Sequence, residues 1–379
     1  VVEVTNYIDR LVAELCPDGV EYRPLSDVVE KNYGGGTPSK AKEEYWGGDI
    51  PWASVGDLSN DLMEVLDTRS KITPAGVSGS STNVVPAGAV IVAIKIAPGK
   101  MKIAGVDLAI NQDIRGLVLN DLMNARFLTY YFRTLRFAGH GTIVKSITNK
   151  RLMDTEVPVP PMEIQEAIVE ILDKFTNLEA ELEAELEART LQYEYYRDSL
   201  FEALDCPRVP LDSFAKIKNG KTYKDFGAGN IPVYGSGGIM TYVDRSSYDK
   251  PTVLIPRKGS LGNLFYLEEP FWNVDTIFYT EIDEEQVIPK FLYYFLKTAH
   301  LEDLNTAGGV PSLTQKVLNK VLIPVPSLAE QQRIVDILDR FDTLTSSLSE
   351  GLPAELAARR SQYEYYRDQL LSFPRKGGN

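Results

Sequence analysis

The chain is poor in the residues that build metal sites and disulfide frameworks. Its 379 residues include two cysteines, Cys16 and Cys206, and two histidines, His140 and His300. Two cysteines cannot build a cross-linked secreted scaffold, and Cys16, His140, Cys206 and His300 lie far apart, at none of the spacings of a closed zinc site. No apolar run approaches the roughly 18 residues needed to span a bilayer. The opening V-V-E-V-T-N has neither the basic nor the apolar stretch of a secretory leader. A cytoplasmic protein without a membrane partner is the expectation. Catalytic signatures are missing too: there is no H-E-x-x-H, no G-x-S-x-G, no N-P-P-Y or D-P-P-Y tetrapeptide and no Cys/His pair at ligand spacing. The Gly-rich Y-G-G-G-T-P-S-K at 33–40 is neither a dinucleotide fingerprint nor a P-loop, and reads as a flexible turn. No catalytic residue, metal ligand or cofactor is assigned.

A net charge of -13 argues at first against nucleic acid. Its distribution argues otherwise. Residues 156–206 hold 14 acidic and 3 basic residues, almost the whole excess. Residues 20–155 hold 16 bases and 14 acids, and residues 207–322 hold 13 of each. Either of these balanced stretches can present a basic face to a polyanion.

The chain repeats itself. Q-Y-E-Y-Y-R-D at 192–198 returns unchanged at 362–368. V-P-V-P at 157–160 answers I-P-V-P at 323–326, and I-V-E-I-L-D-K-F at 168–175 answers I-V-D-I-L-D-R-F at 334–341. Weaker echoes pair G-D-I-P-W at 48–52 with G-N-I-P-V at 229–233, and F-L-T-Y-Y-F at 127–132 with F-L-Y-Y-F-L at 291–296. A tandem duplication follows. It lays out a short helix over 1–19, a globular unit over 20–160, a helix over 161–206, a second globular unit over 207–326, a helix over 327–374 and a tail over 375–379.

The helices carry a seam. Ile164, Ile168, Ile171, Phe175, Leu178 and Leu182 follow alternating steps of four and three, and Leu186, Tyr193 and Leu200 continue after a stutter. The second copy runs through Ile334, Ile337, Phe341, Leu344, Leu348, Leu352, Leu356, Tyr363, Tyr366 and Leu370, with Gly351 and Pro353 placed to interrupt it. Two such helices suit an antiparallel coiled coil, a rod of roughly 60 Å for forty residues. The Pro-rich exits keep helix from starting before about residue 162 or 328. The acidic face at 179–187 repels phosphates, so it faces solvent or a protein partner.

The globular stretches mix β-branched runs with turns. V-V-P-A-G-A-V-I-V-A-I at 84–94 reads as a buried strand after a turn, and T-V-L-I-P-R-K-G-S-L-G-N-L-F-Y at 252–266 as two strands around a basic turn. Trp46, Trp52 and Trp272 read as core or domain-edge residues. What remains is polar and basic loop chemistry, suited to phosphates and base edges. The first unit offers Lys31, Thr37, Ser39, Lys40, Lys95, Lys100, Lys102, His140, Thr142, Lys145, Ser146 and Lys150. The second offers Lys218, Lys221, Thr222, Tyr223, Lys224, Arg257, Lys258, Ser260, Thr306, Gln315 and Lys316. Three loops in each unit repeat this pattern at matching places.

The duplicated plan, with Pro-rich exits leading into Q-E-A-I-V-E-I-L-D-K-F and E-Q-Q-R-I-V-D-I-L-D-R-F, resembles the specificity subunits (HsdS) of type I restriction-modification systems. G-G-T-P-S-K at 35–40, G-D-I-P-W at 48–52 and R-K-G-S-L-G at 257–262 resemble recurrent pieces of that family's target recognition domains. The first unit departs from the last pattern, with I-K-I-A-P-G-K at 94–100. The resemblance implies an α+β fold with two target recognition domains in a pseudo-two-fold arrangement, joined by two long helices that form an antiparallel coiled coil. It also implies that each domain reads one half of a split double-stranded DNA site from the major groove. Two modification (methyltransferase) subunits would dock on the helices, and restriction subunits would add ATP-driven translocation and cleavage, while this chain makes no bond itself. Two other readings stay open: a DNA-modifying or DNA-cleaving enzyme with a cryptic active site, and a coiled-coil interaction protein without DNA function.

Overall fold

The computed structural model describes residues 2–137, 145–305, 309–346 and 351–377. Contacts divide the chain into two units, Val1–Ala180 together with Ala358–Asn379, and Glu181–Ala357. The helices with α-helical bonding among the described residues are α1 (Val2–Leu15), α2 (Pro74–Ser78), α3 (Ala125–Thr134), α4 (Asn149–Met153), α5 (Met162–Glu202), α6 (Pro289–Thr298), α7 (Gln315–Leu318), α8 (Leu328–Ser346) and α9 (Leu352–Leu370). α5 and α8 start where the Pro-rich exits release the backbone. No helix among the described residues is long and apolar enough to cross a membrane.

The first unit holds a five-stranded sheet in the order Val29–Gly34, Ile114–Leu119, Val90–Ala93, Met101–Ala104, Glu64–Val65. The second unit repeats its first four positions as Ala215–Asn219, Ile277–Ile282, Thr252–Pro256, Phe265–Leu267, with antiparallel pairing throughout. The runs V-I-V-A and T-V-L-I-P sit third in each order and are buried at every residue. An unbroken β-branched and apolar run suits such a position, which has neighbours on both edges and packing on both faces. A smaller sheet accompanies each. In the first unit its order is Ser70–Ile72, Trp46–Ala53, Leu108–Ile110, Val84–Val85. In the second it is Gly238–Val243, Ile231–Gly235, Trp272–Asn273.

One helix closes each main sheet. α3 is capped by Asn124, whose side chain accepts from the N–H groups of Arg126 and Phe127. α6 has Pro289 in its first turn, where a missing N–H costs nothing. Their aromatic faces fill the two cores, with Phe127, Leu128 and Tyr130 in one and Phe291, Leu292 and Tyr294 in the other. Each core also takes in the start of a seam helix: Ile164, Ile168 and Leu172 of α5, and Ile334 and Leu338 of α8.

Two polar fixtures repeat with the sheets. Buried Gln165 accepts from the Asn124 N–H at 2.8 Å and donates to the carbonyls of Leu122 and Pro160. Buried Gln331 accepts from the Ile288 N–H at 2.8 Å and donates to the carbonyls of Gln286 and Pro326. The Tyr130 hydroxyl donates to Asp173 at 2.6 Å, and that carboxylate also pairs with Arg126. The Tyr294 hydroxyl donates to Asp339 at 2.6 Å, which pairs with Lys290. Each glutamine pins the approach to α3 or α6 against the following seam helix, so domain and helix are fixed to one another by side chains that the sequence repeat carries.

The seam helices make contacts within each unit. In the first, Phe175 of α5 stacks on Tyr366 of α9, and Glu179 meets Arg360 at 2.6 Å. Moving up α5 thus moves down α9, an antiparallel pair. In the second, Phe341 of α8 packs on Tyr193 and Tyr196 of α5. The break expected at Gly351 is there: α9 begins at Leu352, and Gly351 adopts a φ of +81°. The expected seam residue Leu348 and the Leu344 side chain lie outside the description. Of the acidic face at 179–187, Glu181, Glu183, Glu185 and Glu187 are exposed, while Glu179 is half-buried against Arg360.

Candidate nucleic-acid interface

The candidate interface is built from chain that leaves one end of each main sheet. In the first unit, strand Val29–Gly34 runs into the G-G-T-P-S-K loop, strand Val90–Ala93 into residues 94–100, and the turn 111–113 leads into strand Ile114–Leu119. The segment from Lys145 returns from α3 to join them. These pieces are knitted by backbone. Ile94 N–H donates to the Asp113 carbonyl at 2.8 Å, Ile96 N–H to Lys145 at 2.8 Å and Ile147 N–H to Ile94 at 2.8 Å, with Lys95 bridging to Ser146. The Lys95 ammonium pairs with Asp113 at 2.9 Å. The Thr37 hydroxyl donates to the side-chain oxygen of Gln112.

The second unit uses the same bonds. Arg257 N–H donates to the Thr276 carbonyl at 2.9 Å, Gly259 N–H to Pro311 at 3.0 Å and Leu313 N–H to Arg257 at 2.9 Å, with Lys258 bridging to Ser312. Arg257 reaches the Asp275 carbonyl at 3.4 Å, and the Lys258 ammonium lies 4.0 Å from the Asp275 carboxylate. Ile94, Lys95, Ile96 and Asp113 therefore stand where Arg257, Lys258, Gly259 and Thr276 stand.

The first loop corrects one expectation. Gly35 and Gly36 of Y-G-G-G-T-P-S-K lie hard against neighbouring backbone, which a turn read only as flexible does not require. A Cβ on Gly35 would lie 1.8 Å from the Asn111 carbonyl oxygen, and one on its counterpart Gly220 would lie 2.0 Å from that of Val274. Gly36 N–H then donates to Ile110, as Lys221 N–H does to Asn273, both at 2.9 Å. The indole of Trp52 donates to the Gly36 carbonyl and that of Trp272 to the Lys221 carbonyl, each at 3.0 Å. These two tryptophans brace the loops, in keeping with a structural and not a base-stacking role.

The expected contact residues fall into three groups. Thr37, Ser39 and Lys40 are exposed on the first loop; Lys95 reaches Thr37 through Asp113 and Gln112, and Lys145 and Ser146 are tied by backbone to Ile96 and Lys95. Exposed Lys221, Thr222 and Lys224, with half-buried Tyr223, form the equivalent loop, tied at Lys221 to Asn273, and half-buried Arg257, with exposed Lys258 and Ser260, lies on the turn tied to Thr276. Half-buried Gln315, which donates to the Ile217 carbonyl, and exposed Lys316 open α7 immediately after the Ser312 bridge. A second group stands apart. Lys31 is exposed on its strand before the loop, Lys218 pairs with Glu281 at 3.2 Å across two strands, and Lys100 donates to the Ser59 carbonyl at 2.9 Å. Exposed Lys150 lies on α4. His140, Thr142 and Thr306 lie outside the described residues.

Lys102 is a correction. It is only 2% exposed, with its ammonium on the side-chain oxygen of Asn60, so it cannot meet a phosphate. Burial, reinforced by Lys100 and Arg133, lowers its pKa to about 8. In the sequence it stands two residues from Lys100, like any other base of that stretch. The alternation of strand Met101–Ala104 was no guide, since all four of its residues are buried.

Sequence reading also missed Gln112, Asp113 and Asp275. Gln112 is exposed and donates to Asp113 at 3.3 Å. With Thr37 on its oxygen and Asp113 on its nitrogen, the amide keeps one acceptor and one donor position, the pair that suits the edge of adenine. The available signal was a polar trio, Asn111-Gln112-Asp113, between the apolar strand Leu108–Ile110 and the start of strand Ile114–Leu119. Among the described residues no group of three or more His, Cys, Asp or Glu could hold a metal ion.

Two equivalent frames, each holding a different set of basic, hydroxyl and amide side chains on loops of the same hydrogen-bond plan, define a two-headed recognition protein. The model for the type I restriction modification DNA specificity domain matches residues 17–188 and again 205–358. The chain is 30% identical to the specificity subunit of the type I restriction enzyme EcoprrI of Escherichia coli, over 91% of this chain and 92% of that one. Its fold is that of the type I restriction-modification S subunit from M. genitalium (TM-score 0.56, 19% identity, 93% and 96% of the two chains). It is likewise that of a chain solved in work on complex assembly and conformational transition of the type I R-M system (TM-score 0.66, 17% identity, 93% and 97%). The chain belongs to the type I restriction modification DNA specificity family, whose members are the sequence-recognition subunits of those systems.

Proposed function

We propose that each unit reads one half of a split, asymmetric double-stranded DNA site from the major groove, with the loops described above. The observation that carries this is the pair of equivalent frames bearing unlike side chains. Lys95, Lys145 and Ser146 stand beside Thr37, Ser39 and Lys40 on one. Arg257, Lys258 and Ser260 stand beside Lys221, Thr222, Tyr223 and Lys224 on the other. Lysines and arginine there suit phosphates and guanine, and hydroxyls and amides suit base edges. Two linked heads gain effective concentration when both half-sites are engaged.

The seam helices are the docking surface for two modification subunits, and restriction subunits complete the complex in the cytoplasm. The exposed acidic face of α5 supports a protein partner there, since it repels DNA phosphates. The chain itself forms and breaks no bond, in line with the absence of catalytic signatures from its sequence.

Methylation mapping tests this reading. DNA from cells producing this chain with a modification partner should carry a bipartite motif with unlike halves. A palindromic motif overturns the asymmetric reading. Methylation or cleavage by the chain alone, with S-adenosylmethionine and magnesium, overturns the non-catalytic one.

A further inference from the structure

Ile96 stands out in the interface of the first unit. Its φ is +68°, a region where β-branched side chains are genuine outliers. Among the described residues only His300 shares a positive φ without being glycine. The residue is also 61% exposed. It therefore gains little from packing while its backbone is strained.

The second unit shows that the frame does not need it. At the equivalent place stands Gly259, with a φ of +86°, making the same backbone bond to the returning segment. Glycine takes that conformation without strain. An isoleucine held there against its own backbone preference, next to Lys95 and hydrogen-bonded to Lys145, marks a site where strain accompanies function.

We propose that Ile96 is a specificity-determining residue of the first unit, and that its exposed side chain makes an apolar contact with the C5-methyl group of a thymine in the major groove. The inference rests on the DNA-reading function proposed above and adds a named base to it. The groove explains the choice of residue: the thymine methyl is the one apolar feature of the base-pair edges, and an aliphatic side chain is its complement. Exposed Lys145 supplies positive charge that brings phosphates alongside, while Lys95 is paired with Asp113. Gly259 offers no such contact, so this preference belongs to one half-site.

The test uses the full chain assembled with its modification subunits and duplexes carrying the mapped site. Each thymine of the half-site read by the first unit is replaced in turn by deoxyuridine, which removes only the methyl group. For the native chain, one replacement should weaken binding about fourfold, the equivalent of one buried methyl group. The variants I96G and I96N, whose residues tolerate a positive φ, should bind the thymine and deoxyuridine duplexes alike. Both should unfold at or above the native temperature, which separates lost contact from lost fold. Equal native binding to every deoxyuridine duplex, a half-site without thymine, or a penalty retained in both variants overturns the proposal while leaving the DNA-reading function intact. Variants that lose assembly with the modification subunits but keep the thymine preference also overturn it, in favour of a protein contact. A native complex that binds no duplex in a sequence-dependent way overturns both.

Discussion

Phe175 of α5 and Tyr366 of α9 stack with ring centroids 5.8 Å apart and planes 20° from parallel. Phe341 and Tyr196, their counterparts in the repeat, do the same at 5.8 Å and 26°. The phenylalanine of each copy thus meets the tyrosine of the other copy. This crossed pairing explains why the first unit needs both ends of the chain. Val20 N–H donates to the Pro374 carbonyl at 2.8 Å, and Arg375 pairs with Glu156 at 2.8 Å.

A double-mutant cycle on the pair should show the coupling. Phe175→Leu and Tyr366→Leu should each destabilise the fold, and their combination should cost less than the sum by about 0.5–1.5 kcal/mol, the usual value for aromatic pairs. Denaturant titration followed by far-UV circular dichroism measures it. Strict additivity would show that the rings are neighbours without energetic consequence.

Gln165→Leu should leave the Asn124 N–H and the Leu122 and Pro160 carbonyls without their partner. Unsatisfied buried groups of this kind cost about 1–3 kcal/mol each. Gln331→Leu should do the same at Ile288, Gln286 and Pro326. Thermal unfolding should therefore fall by several degrees in either variant. A variant as stable as the native chain would argue that the glutamine clamp is dispensable.

Lys102 predicts an unusual pH dependence. Its pKa is about 8 in the folded chain because burial disfavours the charge, against the ordinary value of about 10.4 when unfolded. Between these values the unfolded chain binds more protons, so stability attributable to this residue rises with pH through that window. Below about 8 the penalty is fully present. Lys102→Met should thus be stabilised relative to the native chain at neutral pH, with the difference shrinking from about pH 8 upward. A difference that stays constant from pH 7 to 10 would exclude a neutralised lysine.

The interface residues should separate by chemistry. Lys145→Ala should weaken binding of the assembled complex almost equally on all duplexes and lower the salt slope by about 0.9, one phosphate contact. Gln112→Ala should leave the slope unchanged and relax the preference at one base pair by about 1–3 kcal/mol. Titrations at several salt concentrations distinguish the two. A sequence-selective loss from Lys145→Ala would reverse the assignment.

Much of this was legible in the one-dimensional pattern. Seven identical residues at 192–198 and 362–368 disclosed the duplication, and the four-three spacing from Ile164 onward disclosed the seam helix. V-I-V-A announced a buried strand because a half-exposed strand would alternate. Gly351 and Pro353 announced the break before α9. These features are local, and periodicity and backbone restriction act over a few residues.

What the sequence determined alone was the repeated scaffold, its helices and its family, since these follow from short-range patterns written twice. Only the tertiary structure decided that Ile96 occupies the place of Gly259, that Gln112 and Asp113 join the loops, and that Lys102 is buried. The physical reason is that each depends on hydrogen bonds and burial between segments tens of residues apart, set by sheet register and not by neighbours along the chain.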